Sequence, residues 1–273
     1  MTENKSENNT FRIVLPEAFR EIFSHFYFAE NKTAEIITNT LLPSYQTILI
    51  FNFGEKPYLH SKQNTRIEVD KYLMLGPIKQ AFDYTLPPNA EILTVNFKND
   101  AFYRFFGNTS VSENVPSNMD EVTDQDCFSI LWHGLSKINN IDAKVSHIFK
   151  FSEPYLLTRN KIAGQLANFK DQSLNSIKSI ACKNNQTERN TQLNHKKHFG
   201  YSAKEYNRYE RFLSAIEIIE KLASTTSKID WFEVVATCGY YDQSQLINDF
   251  KHYINLTPAK YLKFQKDICN PIT

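Results

Sequence analysis

Cysteine is scarce in this chain: Cys127, Cys182, Cys238 and Cys269 stand far apart, and no two form a C-x-x-C. Such spacing offers neither a disulfide framework nor a zinc site. Glycine is scarce too, with seven among 273 residues. No G-x-S-x-G, P-loop or dinucleotide fingerprint occurs, so the local signatures of acyl transfer, phosphate cradling and dinucleotide binding are missing. His25, His60, His133 and His147 are scattered, with no H-x-H pair and no acidic partner at metal-ligand spacing. Each reads as a surface residue or a hydrogen-bonded core residue. No apolar run approaches the ~20 residues of a membrane span. No signal peptide is visible, and residues 1–10 read as a polar, disordered tail. A cytoplasmic chain, with neither catalytic residues nor a cofactor, is the expectation.

What is present is core-forming material, 41% hydrophobic and 14% aromatic. With this length it is enough for two domains. Net charge is only +1, but it is unevenly spread. Residues 160–273 carry 13 Lys and 3 Arg against 11 acidic groups, and the rest of the chain is acidic on balance. A basic C-terminal part suits nucleic acid, although the excess is modest.

The N-terminal half shows short aromatic and β-branched runs separated by turn residues: 23–29 (FSHFYFA), 47–53 (TILIFNF), 72–75 and 91–97 (EILTVNF). These predict a small all-β barrel or sandwich. A helix is expected from Asn99 to Gly107, then a polar loop over 108–118. From about Asp120 to Lys150, Phe128, Leu131, Trp132, Leu135 and Ile138 recur at helical spacing. Phe23, Phe26, Tyr27, Phe28, Phe51 and Phe53 are candidates for a pocket lining, but core packing is the better reading.

The stretch 228–261 carries the most specific signal. Asp230 and Glu233 mark a helix start, with Phe232, Val235 and Ala236 as its apolar face and Gly239 as its stop. Asp242 and Gln245 cap a second helix, whose buried side is Leu246, Ile247, Phe250 and Ile254. Gln243, Ser244, Gln245, Asn248 and Lys251 are left off that side. Amides and a hydroxyl on an exposed helix suit base edges, and a lysine suits phosphate. This is a helix-turn-helix pattern.

The run A-T-C-G-Y-Y-D-Q-S-Q-L-I-N-D-F-K, followed by L-T-P-A-K-Y, resembles the second helix-turn-helix of the AraC/XylS family of transcription regulators. Asn255 stands where that family usually has glycine. More loosely, the order L-P-S-Y-Q-T-I-L-I-F-N-F-G, L-G-P, V-N-F-K-N-D-A-F-Y-R-F-F-G resembles the cupin-like N-terminal domain of many such regulators. The resemblance implies double-stranded DNA as partner, with a small-molecule effector or homodimerisation assigned to the N-terminal domain. It also implies a first helix-turn-helix upstream. Leu174, Ile177, Ile180 and Ala181 form the face of its first helix. The turn is at Asn185–Gln186, and Thr187 caps a recognition helix from Glu188 to Phe199, closed by Gly200. Arg189, Asn190, Gln192 and Lys196 are its candidates for DNA contact. Asn184, Gln186, Thr191 and His195 are polar where the family is apolar, and Leu193 stands where it has a DNA-reading arginine. These departures predict a loosely packed or register-shifted first unit.

Between the units, Ser202 and Glu205 form a capping box. Tyr206, Tyr209, Phe212, Leu213, Ile216, Ile219 and Leu222 then make one stripe, as a helix from Ser202 to Ala223 of roughly 33 Å requires. That is close to one DNA turn of ~34 Å. The expected fold is α+β with two domains: a cupin-like β-barrel or sandwich with a helical tail, and an all-α domain with two helix-turn-helix units joined by a long helix. Expected boundaries are 11–150 for the sensor or dimerisation domain, 151–170 for a linker or first helix, and 171–273 for the DNA-binding domain. Gln243, Ser244, Gln245 and Asn248 would read bases; Lys251, Lys260 and Lys204 would meet phosphates. Two alternatives stay open. One is a degenerate regulator whose first unit no longer reads DNA, leaving an interaction or ligand-sensing module. The other is a cupin-type enzyme with a helical appendage.

Overall fold

The computed structural model describes residues 8–60, 66–107, 127–169, 175–225, 229–264 and 268–269. Its N-terminal half contains nine strands: β1 (Asn8–Ile13), β2 (Phe23–Asn31), β3 (Ile37–Leu41), β4 (Ile48–Asn52), β5 (Tyr58–His60), β6 (Arg66–Glu68), β7 (Tyr72–Leu75), β8 (Phe82–Leu86) and β9 (Glu91–Phe97). They make two five-stranded sheets, β1-β2-β9-β4-β7 and β10-β3-β8-β5-β6, where β10 is Ile268–Cys269 near the C-terminus. All pairings are antiparallel except β10 on β3.

Strand β4 shows why one run was so legible. It lies between β9 and β7 and is buried along its whole length. Ile48 and Ile50 pack towards the second sheet, with Leu59, Tyr84, Leu86 and Ile92. Leu49 and Phe51 pack the other way, with Phe26, Leu93 and Val95, against the helices. A strand covered on both faces reads as a continuous apolar run.

Two expectations need correction here. Strand β1 begins at Asn8 and pairs with β2 from Asn8↔Asn31 onwards, so residues 8–10 are sheet edge rather than tail. Its exposed first residues leave no apolar alternation to detect. The helical run after the barrel is two helices, α2 (Cys127–Ser136) and α3 (Ile141–Ser152), following α1 (Ala101–Phe106). Asn140 caps α3 by accepting a hydrogen bond from the Ala143 amide, and so separates it from α2. The loop expected over 108–118 lies outside the described residues. Gly107 closes α1 in the left-handed region, as expected.

The C-terminal half is helical: α4 (Lys161–Ala167), α5 (Ser176–Lys183), α6 (Glu188–Phe199), α7 (Ala203–Thr225), α8 (Trp231–Thr237), α9 (Gln243–Ile254) and α10 (Pro258–Phe264). These helices surround a core built from Ile177, Ile180, Phe212, Ile216, Val234, Leu246, Phe250 and their neighbours. The fold class is therefore α+β, a β-sandwich with a helical tail followed by an all-α region.

That helical core also takes in Leu42 and Tyr45 from the loop between β3 and β4. The Tyr45 ring stacks on Tyr209 at 4.5 Å and meets Tyr201 edge-on at 5.0 Å. Tyr209 donates its hydroxyl to the Pro43 carbonyl (2.5 Å). The Ala81 amide donates to the Tyr253 carbonyl at the end of α9 (2.7 Å), and Lys79 pairs with Glu205 (3.1 Å). Arg159 grips the buried Asp100 with two bonds, at 2.6 and 3.1 Å.

Candidate nucleic-acid interface

Helix α8 starts where Asp230 accepts a hydrogen bond from the Phe232 amide (2.9 Å). Its end is closed by two backbone bonds, Gly239 N–H to Ala236 O (3.4 Å) and Tyr240 N–H to Val235 O (3.0 Å), with Gly239 at φ +70°. This is the Schellman arrangement, in which a left-handed residue lets the chain reverse. Asp242 then caps α9 by accepting from Gln245 N–H (2.7 Å). The Gln245 side chain accepts from the Tyr241 amide (2.9 Å). The helix ends at Asn255, φ +56°, so asparagine takes the left-handed position.

The first unit repeats this construction with different residues. Asn185 N–H donates to Cys182 O (3.2 Å) and Gln186 N–H to Ala181 O (2.9 Å), with Asn185 at φ +51°. Thr187 caps α6 by accepting from the Asn190 amide (3.2 Å), and Gly200 closes it at φ +80°. Both units therefore turn through the same pair of backbone bonds, one on glycine and one on asparagine.

The four polar groups expected to loosen the first unit each have a partner, although His198 Nδ1 on the same helix is buried with no hydrogen-bond partner among the described residues. Asn184 donates to Gln165 Oε1 (2.6 Å) and Ile180 O (2.8 Å). Gln186 accepts from Asn190 (3.2 Å), and Thr191, fully buried, donates to Thr187 O (3.3 Å). His195 bonds the Tyr201 carbonyl through Nδ1 (2.8 Å) and stacks on Phe199. Burial pushes the His195 pKa down, against the upward pull of that carbonyl and of Glu205. Buried polar groups with partners are compatible with a packed core. Ile177, Ile180 and Ala181 are buried as expected, while Leu174 lies outside the described residues.

The connector α7 runs 23 residues. Its capping box is fully formed: Glu205 accepts from Ser202 N–H and Oγ–H (both 2.7 Å), and Glu205 N–H returns to Ser202 Oγ (3.2 Å). Burial raises the Glu205 carboxyl, but the bonds from Ser202 and Lys79 outweigh it and hold its pKa at about 2. Tyr209, Phe212, Ile216 and Ile219 are buried along the predicted stripe.

The sequence-nominated contacts divide clearly. Gln243, Ser244, Asn248 and Lys251 on α9 are exposed, as are Arg189, Asn190, Gln192 and Lys196 on α6, Lys204 at the start of α7 and Lys260 on α10. Gln245 is different: half-buried, with its side-chain oxygen engaged in the cap, it is a helix-start residue first. The apolar face expected for α8 is also corrected. Phe232 is 78% exposed and Ala236 is exposed, while Val234 is fully buried and Trp231, Val235 and Cys238 pack beside it. The helix starts at Trp231, so positions 231, 234, 235 and 238 share a face and Phe232 falls opposite.

Two features went unread. Asp249 lies on the buried side of α9, only 2% exposed, and accepts from Arg208 (2.6 Å) and Arg211 (3.2 Å) of α7. Its signal was an acid between apolar Leu246 and Phe250 at helical spacing. Two large apolar side chains also stand next to the polar faces: Leu193 on α6, 60% exposed, and Tyr241 just before α9, 92% exposed.

Of the nominated aromatics, Phe23, Phe26, Phe28 and Phe51 are buried in the core beneath the helices. Among the described residues no group of three or more His, Cys, Asp or Glu is placed to hold a metal. No described helix is long and apolar enough to cross a membrane.

A family model described as a domain of unknown function (DUF6597) matches residues 15–120. No curated protein matches the chain. Among solved structures, ToxT from Vibrio cholerae O395 is similar with 13% identity and a TM-score of 0.37, covering 89% of this chain and 98% of that one. A second crystal form of Vibrio cholerae ToxT, also 13% identical with a TM-score of 0.37, covers 94% and 97%. An oxalate decarboxylase of Bacillus subtilis, 11% identical with a TM-score of 0.26, covers 49% of this chain and 36% of its own. Functional assignment therefore rests on the chain's own geometry.

Proposed function

We propose that this chain is a sequence-specific DNA-binding transcription regulator of the AraC type. The carrying observation is the repeated turn: two units closed by the same pair of backbone bonds, each followed by a capped helix with an exposed amide-rich and lysine-bearing face. A 23-residue helix joins them. At about 1.5 Å per residue it spans about 35 Å, close to the ~34 Å between successive major grooves on one face of DNA.

In this reading Gln243, Ser244 and Asn248 read base edges from α9, and Arg189, Asn190 and Gln192 do so from α6. Lys196, Lys204, Lys251 and Lys260 meet phosphates. The DNA-binding domain begins with α4, whose Ala163 and Leu166 belong to the helical core. The β-rich half then serves as sensor or dimerisation domain. The partners found for Asn184, Gln186, Thr191 and His195 favour two working readers over a degenerate one.

Selection from randomised duplex DNA at near-physiological salt tests this. Two half-elements about one helical turn apart are the expected product. Retention without a motif, lost steeply as salt rises, would reduce the protein to phosphate attraction alone.

A further inference from the structure

We propose that the N-terminal half holds a binding site for a neutral, largely apolar small molecule, between the helix-facing side of its first sheet and helices α1, α2 and α3. The side chains leave a cavity of about 270 Å³ there. Leu49 and Val95 reach it from β4 and β9, Phe105 and Phe106 from α1, Leu131 from α2 and Ile148 from α3. Well-packed interiors rarely leave spaces much larger than a water. An apolar space of ~150 Å³ accepts benzene, and ordinary ligand pockets begin near ~300 Å³.

The lining selects the chemistry. Among the described residues, no Lys, Arg, His, Asp or Glu lines this cavity, so a charged headgroup would lose its hydration without a partner there. The polar groups are Ser152, Tyr155 and the Cys127 thiol. Tyr155 is half exposed and marks where the cavity meets solvent. Ser152 donates its hydroxyl to Phe149 O (3.0 Å), which leaves its lone pairs to accept. A ligand with an apolar body and one hydroxyl donor fits both ends.

Two other cavities among the described residues offer less. The space between the two sheets measures about 70 Å³ and is faced by Arg12 and His25. The cleft among α4, α5, α6 and α7 is larger, about 620 Å³, but polar, with Glu210 and Arg211 on its wall. The apolar site also has a mechanical neighbour. Helix α1 supplies Phe105 and Phe106 to the cavity, and its Tyr103 ring meets His198 of α6 at 4.3 Å. Binding itself does not depend on the DNA-binding assignment.

Titration calorimetry of the full chain with 1-octanol, 1-decanol and decanoate tests the site. Saturable one-to-one binding of the alcohols is expected, with decanol about fifteenfold tighter because each methylene contributes about fourfold. Decanoate is expected to bind at least ~10-fold more weakly than decanol. Leu131→Phe and Val95→Leu, which add volume inside the cavity, should weaken decanol ~10-fold or more without lowering the melting temperature. Should neither variant fold, nuclear Overhauser contacts from decanol to the wild-type Phe105 and Phe106 rings decide. The proposal is overturned by no saturation with either alcohol, by decanoate binding as tightly as decanol, by folded variants that bind like wild type, or by contacts at Tyr27 and Tyr84 instead.

Discussion

Arg208 Nε lies 2.6 Å from Asp249 Oδ1, so α7 and α9 are joined by an ion pair whose carboxylate is almost wholly buried. Arg211 adds a second bond to the other oxygen at 3.2 Å. The acid faces α7 rather than solvent and ties α9 to it.

Replacing it therefore separates presentation from reading. Asp249→Ala should destabilise the chain by about 3 kcal/mol, the low end for a broken buried pair, because Arg208 is 40% exposed and can turn to water. Site-specific DNA affinity should fall with it. Urea denaturation beside a DNA-binding titration checks both. Unchanged stability would mean that the pair holds nothing in place.

The two turns respond oppositely to glycine chemistry. Asn185→Gly should stabilise by about 0.5–1 kcal/mol, since glycine holds φ +51° with less strain than asparagine. Gly239→Ala should destabilise by about 1–2 kcal/mol, since alanine resists φ +70°. Thermal melts of the two variants distinguish this from a turn set by tertiary packing, in which neither substitution would matter.

Gln245 and Asn248 should part company as well. Asn248→Ala should lose about 1–3 kcal/mol of preference at one base position. Gln245→Ala should instead lower stability by up to about 1 kcal/mol through the weakened helix start, with little change in preference. Lys196→Ala and Lys251→Ala should weaken binding to all sequences and reduce the salt slope by about one each. Quantitative binding to a small library of single-base variants, at two salt concentrations, measures all three effects.

Acid should act through buried imidazoles. Burial, with a smaller contribution from the Arg12 charge, pushes the His25 pKa down to about 4 from its ordinary 6.5. Between those values the unfolded chain binds the proton and the folded chain does not, so protonation favours unfolding. Stability is full above about pH 6.5, falls towards about pH 4 and is flat below for this group. His195 and His198, both lowered chiefly by burial, act in the same direction. Urea midpoints from pH 7.5 to 4 should fall in the wild type and fall less in His25→Gln.

The helical half was legible because its signals are local. Thr187, Ser202 with Glu205, Gly239 and Asn255 each act on backbone within a few residues. Strands β1, β3, β5, β6 and β8 were not legible, since they are short or flanked by exposed positions and gain their pattern only from partners far along the chain. The partners of Asp249 lie 38 and 41 residues away, beyond any local pattern. Phe232 differs by phase alone: each residue turns an α-helix by about 100°, so position 232 lies well off the face shared by 231, 234, 235 and 238. The satisfied polar cluster of the first unit needed the Tyr201 carbonyl and the Gln165 side chain, which no spacing rule supplies.

The backbone bond from Ala81 to the Tyr253 carbonyl makes the last turn of α9 a shared possession of both halves. A helix end that borrows its hydrogen-bond donor from another domain cannot swing free without exposing an unpaired carbonyl. With the Tyr45 ring lodged among Tyr201 and Tyr209, the two halves pack against each other rather than hang on a tether. A displacement of the barrel would then carry α7 and α9 with it, because the two helices share that contact rather than a linker.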